Sequence, residues 1–403
     1  MNLPEVSIIL PTYNRADTLP RAIASILAQS FTDWELIVVD DGSTDNTAAI
    51  VEGIDPRIRL LRQNNGGCYV ARNHGLRASR GNLITFFDSD DEWLPHYLEI
   101  TTAFLAASPE DQFVMTEFWT QWGDAEFVRG IHTLIERSWD KLAREIGSQA
   151  LDLAPGETDS YLRVYETREP IGAWGREIAA RAGTPDAPLY RGHIFPHYRW
   201  GHLGWLPTTM LRRQALDRIG PFLEKYRTSA DYRFLALLSR EFRTNLISLP
   251  CAIKHEQGIN GRPLAEDHLA TGASQYRYSV NRLQLFDELF YIPSQADPEL
   301  RQVRGHYQLF AGRKALMLGK RTEAMAHLKE ACKAMPAHHA AHWLLRFVRA
   351  IPSDRAAGAT YRAFLRLSEL VRAIRSGKLT TAEILQKLWR RITGTARSSK
   401  AHG

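Results

Sequence analysis

No stretch of the 403 residues stays apolar for the ~18 positions that a bilayer-crossing helix needs. The opening MNLPEVSIIL has no basic segment ahead of its apolar run and enters strand-like sequence at once, which argues against a secretory leader. Cysteine is scarce. Cys68, Cys251 and Cys332 lie far apart, in neither metal nor redox spacing, as expected of free thiols in a reducing cytoplasm. A spread of positive charge is also missing from most of the chain. Eleven Lys/Arg against three acids from Ser353 to Gly403 give that tail +8, so the rest carries about −2 of the net +6. With no recognition motif and a basic surplus confined to the tail, nucleic acid is not an expected partner. The 44% hydrophobic and 24% charged content is that of an ordinary globular chain, long enough for two or three domains.

What is present is alternation. VSIIL, WELIVV, IRLL and LITFF read as strands, and TLPRAIASILAQS, TDNTAAIVEGI and YVARNHGLRAS between them have helical spacing. Such alternation predicts a mostly parallel, doubly wound sheet with helices on both faces. Its strand C-termini line one edge, where open α/β sheets bind ligands. PTYN, DDGSTD, QNNGG and DSDDEW all fall there, one after each strand. Residues 117–204 read as an insertion of mixed periodicity, in which IHTLIERSWDKLAREI suggests a helix. DYRFLALLSRE predicts a helix and NLISLP a strand. From about Leu264 the pattern is helical. Residues 263–352 form a helical region containing one hairpin of the tetratricopeptide kind or, alternatively, a plain bundle. Residues 353–403 form a basic amphipathic tail, suited either to an anionic membrane surface or to water. The expected divisions are thus 1–110, 111–262, 263–352 and 353–403.

The densest chemical signal is DSDDEW. Asp88 and Asp90, two apart after a strand, point the same way if the chain is extended, and hard oxygen ligands at one point suit Mg²⁺ or Mn²⁺ bound together with substrate phosphates. A solvated, helix-capping turn is the plainer reading of these acids. In PTYN, Tyr13 offers a ring for a base and Asn14 closes a turn. Capping explains Ser43 to Asp45 but not the adjacent acids Asp40 and Asp41, and a carboxylate there can accept from a pyrimidine N–H. The Gly pair of NNGG opens a helix in which Arg72, one turn in, can reach a diphosphate. This spacing is neither a dinucleotide fingerprint nor a P-loop, which disfavours hydride transfer and ATP hydrolysis.

In order and spacing, VSIILPTYNRADTL, WELIVVDDGSTDNT, NNGGCYVARNHGL and GNLITFFDSDDEWLP resemble the nucleotide-binding half of family 2 glycosyltransferases over about the first hundred residues. The resemblance implies a GT-A, Rossmann-like fold and an inverting, hexosyltransferase-type enzyme. It implies a nucleotide-sugar donor, usually a UDP-sugar, and Mn²⁺ or Mg²⁺. It places Pro11, Tyr13, Asn14, Asp41, Arg72 and Asp88 on the nucleotide. Asp90, with Asp88, corresponds to the metal-binding acids of the DxD motif. TTMLRRQALDRIGPFLEKYRTSADYRFLALLSRE resembles the acceptor-side segment, where an acidic pair starts a helix and its second member is the catalytic base. Here the pair reads Ala230–Asp231, so Asp231 matches the base while the first acid is missing. AIKHEQGIN resembles the segment whose His lies near the metal, which maps to His255.

Acceptor contacts are expected from Trp200 and Trp205, among the aromatics of RGHIFPHYRWGHLGW, and from Asp91. The histidines of that stretch, His193, His197 and His202, invite a zinc site, but Pro196 and Gly201 spoil helical ligand spacing. The expected partners are a nucleotide-sugar and a saccharide or lipid-linked acceptor, in polysaccharide or glycoconjugate synthesis. The expected location is the cytoplasm, with the tail at the inner face of its membrane. The rival reading is a degenerate transferase that serves as a scaffold through its helical part, and a nucleotidyltransferase is disfavoured because PTYN is not a Gly-rich activation loop.

Overall fold

A computed structural model describes residues 3–122, 126–135, 142, 148–149, 151–153, 156–255, 272–291, 297–351, 353–354, 356–363 and 365. Its described parts fall into two compact units, 1–307 and 308–403.

The apolar runs of the first hundred residues become the centre of one sheet. Val6–Thr12 (β1) and Trp34–Asp40 (β2) are buried along their whole length. Ile58–Arg62 (β3) and Leu83–Phe86 (β4) complete a parallel set ordered β3-β2-β1-β4. Leu19–Leu27 (α1), Thr47–Val51 (α2) and Cys68–Ala78 (α3) connect these strands. A Cβ at Gly75 of α3 would stand 2.6 Å from Ile9 Cγ2, so only glycine lets this helix settle so close to β1.

After β4 come Glu92–Trp93 (β5), Tyr97–Ala107 (α4) and Phe113–Trp122 (β6), which forms a hairpin with Glu126–Arg129 (β7). Further on are Thr167–Pro170 (β8), Ala173–Arg181 (α5), Pro188–Gly192 (β9), Thr209–Arg212 (β10), Ala230–Glu241 (α6) and Thr244–His255 (β11). β10 lies antiparallel between β4 and β6, and β11 runs parallel to β6. β9 and β8 then extend the sheet. β1 to β4, β6 and β11 therefore point the same way and end at one edge. The segment 117–204, unreadable by periodicity, adds β7, β8 and β9 to the sheet, with α5 and loops between them. TREP and PLYRG are too short and too polar to show strand alternation. Most of the helix expected over 131–146 lies outside the described residues, which show a helical turn at Gly130–Thr133.

Two buried acids fasten this extension. Asp111, 4% exposed, accepts from Arg191 of β9 (2.9 Å) and Arg243 just ahead of β11 (3.2 Å). Glu117 of β6, wholly buried, accepts from the amides of Phe118 (2.8 Å) and Ile131 (2.9 Å) and from the Tyr161 hydroxyl. Burial raises its pKa against those hydrogen bonds.

The helical region begins with Gly272–Phe290 (α7) and continues through Pro298–Met317 (α8), Arg321–Ala334 (α9) and His339–Ala350 (α10). The division falls at Tyr307 rather than near 263 because Leu285, Phe286 and Val303 are fully buried in the same core as the sheet. Within the second unit a Cβ at Gly312 would lie 3.0 Å from Leu328, so a small residue brings α9 close to the end of α8. Among the described residues no helix is long and apolar enough to cross a membrane. The basic tail beyond 365 lies outside the described residues.

Glu117→Ala leaves buried donors without an acceptor. It should destabilise the first unit by about 3 kcal/mol, read as a fall in thermal or urea midpoint, while Glu117→Gln should lose less. An unchanged midpoint in Glu117→Ala would remove the acid from this fastening role.

Candidate active site

The common strand edge is concave, with a cavity of about 640 Å³. Four of its acids come from different places in the chain: Asp41 after β2, Asp88 and Asp90 after β4, and Asp231 in the first turn of α6. Four arginines face them: Arg15, Arg72, Arg227 and Arg277. Pro11 and Tyr13 line the same space, and Tyr13 is 40% exposed, leaving a ring face available.

Asp41 is held most firmly. Its Oδ1 accepts from Gln63 Nε2 (2.7 Å) and the Gly66 amide (2.8 Å), and its Oδ2 from the Gly67 amide (2.7 Å). The loop that opens α3 thus fixes the carboxylate, and the remaining acceptor capacity on Oδ2 is free to face a ligand. Asn14, at φ 50°, is spent on the loop itself. Its amide donates to Ser43 Oγ (2.9 Å), and its Oδ1 accepts from the Thr44 amide (2.8 Å). It does not line the cavity, so the nucleotide contact expected of it becomes a joining of PTYN to DDGST.

Asp88 and Asp90 both face the cavity, but they do so through a turn, with the Asp91 amide donating to the Asp88 carbonyl (3.4 Å), and not through the extended chain that the i, i+2 argument assumed. Arg72 Nη2 lies 2.5 Å from Asp88 Oδ1, and Arg15 Nη2 lies 3.7 Å from Asp90 Oδ2. Burial, then the neighbouring Asp88, pushes the Asp90 carboxyl up to about 6 despite Arg15. A cation added here would relieve a carboxylate that is costly to ionise. The donor set therefore fits a hard divalent ion. No group of three or more His, Cys, Asp or Glu converges in metal-binding fashion among the described residues. Asp88 and Asp90 would therefore be a two-acid set, and His193, His197 and His202, considered for zinc, form no such group either.

His255, Asp91, Trp200 and Trp205 depart from expectation, and none lines the cavity. The pairing of β11 with β5 carries His255 toward Glu92, with Nε2 3.5 Å from Glu92 Oε2, and its amide donates to Asp91 Oδ1 (3.1 Å). Asp91 is 4% exposed, and burial followed by repulsion from Asp90 raises its pKa well above normal. It braces the end of β11 rather than facing an acceptor. Trp200 is 3% exposed and belongs to the core, and Trp205 packs on Phe118 with ring centroids 4.7 Å apart. Aromatic composition alone does not separate a sugar platform from a core, and here the core claimed both rings.

Asp231 is built from two sides. Ser229, in the left-handed region at φ 70°, turns the chain into α6 and presents the acid at its N-terminus. From α3 the Tyr69 hydroxyl donates to Asp231 Oδ1 at 2.9 Å. Burial opposes ionisation, but His202, Arg72, Tyr69 and the Tyr232 amide outweigh it and hold the carboxyl below its ordinary value. His202 is pushed down to about 4 by burial, so its charge helps Asp231 only in acid, and near neutral pH Arg72, Tyr69 and the Tyr232 amide are the groups that favour the carboxylate. Cys68 also lines the cavity, but burial pushes its thiol up to about 11, which disqualifies it as a nucleophile. Sequence reasoning missed Arg15, Tyr69, Arg227 and Arg277. Arg15 and Tyr69 adjoin residues already singled out and Arg227 lies four positions before Asp231, whereas Arg277 has no such neighbour in sequence.

Comparison with known proteins agrees with this geometry. Residues 7–163 match the family model described as glycosyl transferase family 2. The UDP-Glc:α-D-GlcNAc-diphosphoundecaprenol β-1,3-glucosyltransferase WfgD of Escherichia coli is 42% identical over 102 residues, 25% of this chain and 40% of that one. The succinoglycan biosynthesis protein ExoO of Rhizobium meliloti is 47% identical over 98 residues, 24% of this chain and 28% of that one. The chain thus matches well under half the length of these relatives. In structure it is similar to residues 1–349 of TarS from S. aureus in complex with UDP-GlcNAc, with TM-score 0.53 and 16% identity over 90% of this chain and 92% of that one. That likeness supports the fold alone. Sheet order, acid-lined edge and sequence match converge: residues 7–163 are similar to glycosyl transferase family 2, on a fold like that of TarS 1–349.

Proposed function

We propose that the protein is an inverting, metal-dependent glycosyltransferase that moves a sugar from a nucleotide-sugar, with UDP as nucleotide, to a hydroxyl acceptor in the synthesis of a polysaccharide or glycoconjugate. The observation that carries this reading is a single cavity with Asp41, the Asp88/Asp90 pair and Asp231 on its walls. WfgD, by its name, acts on a diphosphoundecaprenol-linked acceptor, and TarS was crystallised with UDP-GlcNAc. A saccharide or lipid-linked acceptor and a UDP-sugar donor are the matching assignments for this chain.

In this reading Tyr13 stacks on the base, and Asp41, pre-set by the Gly66 and Gly67 amides, accepts from its N–H. Asp90 and Asp88 would hold Mn²⁺ or Mg²⁺, which supplies positive charge to the diphosphate when bound. Arg227 and Arg277, which form no salt bridge among the described residues, add charge where the leaving group develops it. The acceptor oxygen attacks the anomeric carbon as the bond to the diphosphate breaks. Its proton passes to Asp231, which the surrounding donors keep ionised and ready to receive it.

Asp231→Asn should cut kcat by roughly 10²–10⁴ while leaving UDP affinity in calorimetry near wild type; substantial remaining turnover would remove Asp231 as base. Asp90→Ala should abolish the part of UDP binding that depends on Mn²⁺, and an unaltered titration would sink the metal assignment. Arg277→Ala should weaken UDP roughly tenfold and leave uridine unaffected, since only the former carries the diphosphate. Equal losses for both ligands would place Arg277 elsewhere.

A further inference from the structure

Beside the main cavity lies a smaller one of about 170 Å³, and the two share Cys68, Tyr69, Arg227 and Asp231. Asp231 thus stands at the junction between the space that holds the donor acids and a recess walled by His202, Ser229 and Tyr278. At this junction the chain lacks the acid that its own resemblance leads one to expect, having Ala230 before Asp231. The structure fills the gap from another element. Tyr69, 5% exposed on α3, stacks on Phe222 with centroids 5.7 Å apart and places its hydroxyl 2.9 Å from Asp231 Oδ1.

That hydroxyl is precisely placed because α3 is pinned to the segment leading into α6. Asn73 Nδ2 donates to the Phe222 carbonyl (2.9 Å), and the Phe222 amide donates back to Asn73 Oδ1 (3.0 Å). Burial raises the pKa of the Tyr69 hydroxyl, so it stays a proton donor over the working range. The Tyr69 bond takes one acceptor site of the carboxylate and fixes its orientation, leaving acceptor capacity for an incoming hydroxyl.

We propose that Tyr69 is the positioning residue of the catalytic base, its neutral hydroxyl orienting Asp231 where the resemblance leads one to expect a second carboxylate at position 230. This rests on the assignment of Asp231 as base. The proton of the acceptor hydroxyl moves to the Asp231 carboxylate, the Tyr69 O–H remains bonded to Oδ1, and no further group is consumed. A hydroxyl differs from an acid in consequence: it favours the ionised form of its neighbour, whereas a second carboxylate would repel it. The other titratable or charged groups facing Asp231 are Cys68 and Arg72 of α3, His202, Arg227, and Tyr278 of α7. Burial raises the pKa of Tyr278, so it stays a neutral phenol.

The test is Tyr69→Phe in the full chain, which keeps the ring and its stacking on Phe222. UDP affinity and thermal midpoint should match wild type, kcat should fall about tenfold, and the acid limb of the kcat–pH profile should move to higher pH. The direction follows because loss of a hydrogen bond to the carboxylate raises its pKa, so protonation inactivates it earlier on acidification. Replacing Tyr69 by a fluorinated tyrosine, a stronger donor, should move the same limb to lower pH. Wild-type kcat with an unmoved limb in both variants would overturn the proposal. Asp231→Asn separates the two layers: if it stays active, the base assignment fails, and if it is dead while Tyr69→Phe is unaltered, only the role of Tyr69 fails.

Discussion

Parallel strands that end together bring whatever follows them together, and here that is mostly negative charge. Asp41, Asp88, Asp90 and Asp231 would repel one another across one cavity without neutralising groups. Two of them have such groups in the protein: Arg72 against Asp88 and Arg15 against Asp90. Asp41 is compensated by dipoles instead, through the Gly66 and Gly67 amides. The arginines offset only part of the repulsion at the Asp88/Asp90 pair, as the raised Asp90 carboxyl records. This partial compensation keeps the edge stable enough to fold yet still attractive to an added cation.

The two ends of the cavity are tuned in opposite directions by the same elements. Burial disfavours charge on both Asp90 and Asp231. At Asp90 a neighbouring acid adds to that penalty, whereas at Asp231 a hydroxyl, a backbone amide and Arg72 overcome it. Arg72 takes part at both ends, pairing with Asp88 while lying 5.4 Å from the centre of the Tyr69 ring. Residues of α3 therefore reach both the Asp88/Asp90 pair and Asp231. The fit of Gly75 on Ile9 fixes how deep that helix sits.

The donor half was legible in the sequence because its signals are local. Strand, turn and helix lie within a few residues of each acid, so spacing alone places Pro11, Tyr13, Asp41, Arg72, Asp88 and Asp90 at one edge, and all six line the cavity. What escaped was non-local. Arg277 reaches the site through tertiary packing, and no periodicity announces it. Trp200 and His255 were misplaced because a side chain's type does not reveal which way its backbone will face. Trp200 is drawn into the core, and the β5–β11 register turns His255 toward Glu92. The insertion failed for a further reason. Its strands sit at the margin of the sheet, where exposed residues do not alternate, as β8 shows along its full length.

The position of β10 has a consequence for how the molecule comes into being. Residues 209–212 slot between β4 and β6, strands that a ribosome would have released long before. Until they arrive, both neighbours present open backbone edges of the kind that recruit foreign strands. The region that matches the family model ends in sequence near residue 163, and its sheet therefore cannot close without a strand made some fifty residues later. Any shortened version that stops there leaves β4 open on one side and β6 without both β10 and β11, and the β4–β10 contact itself spans more than a hundred residues.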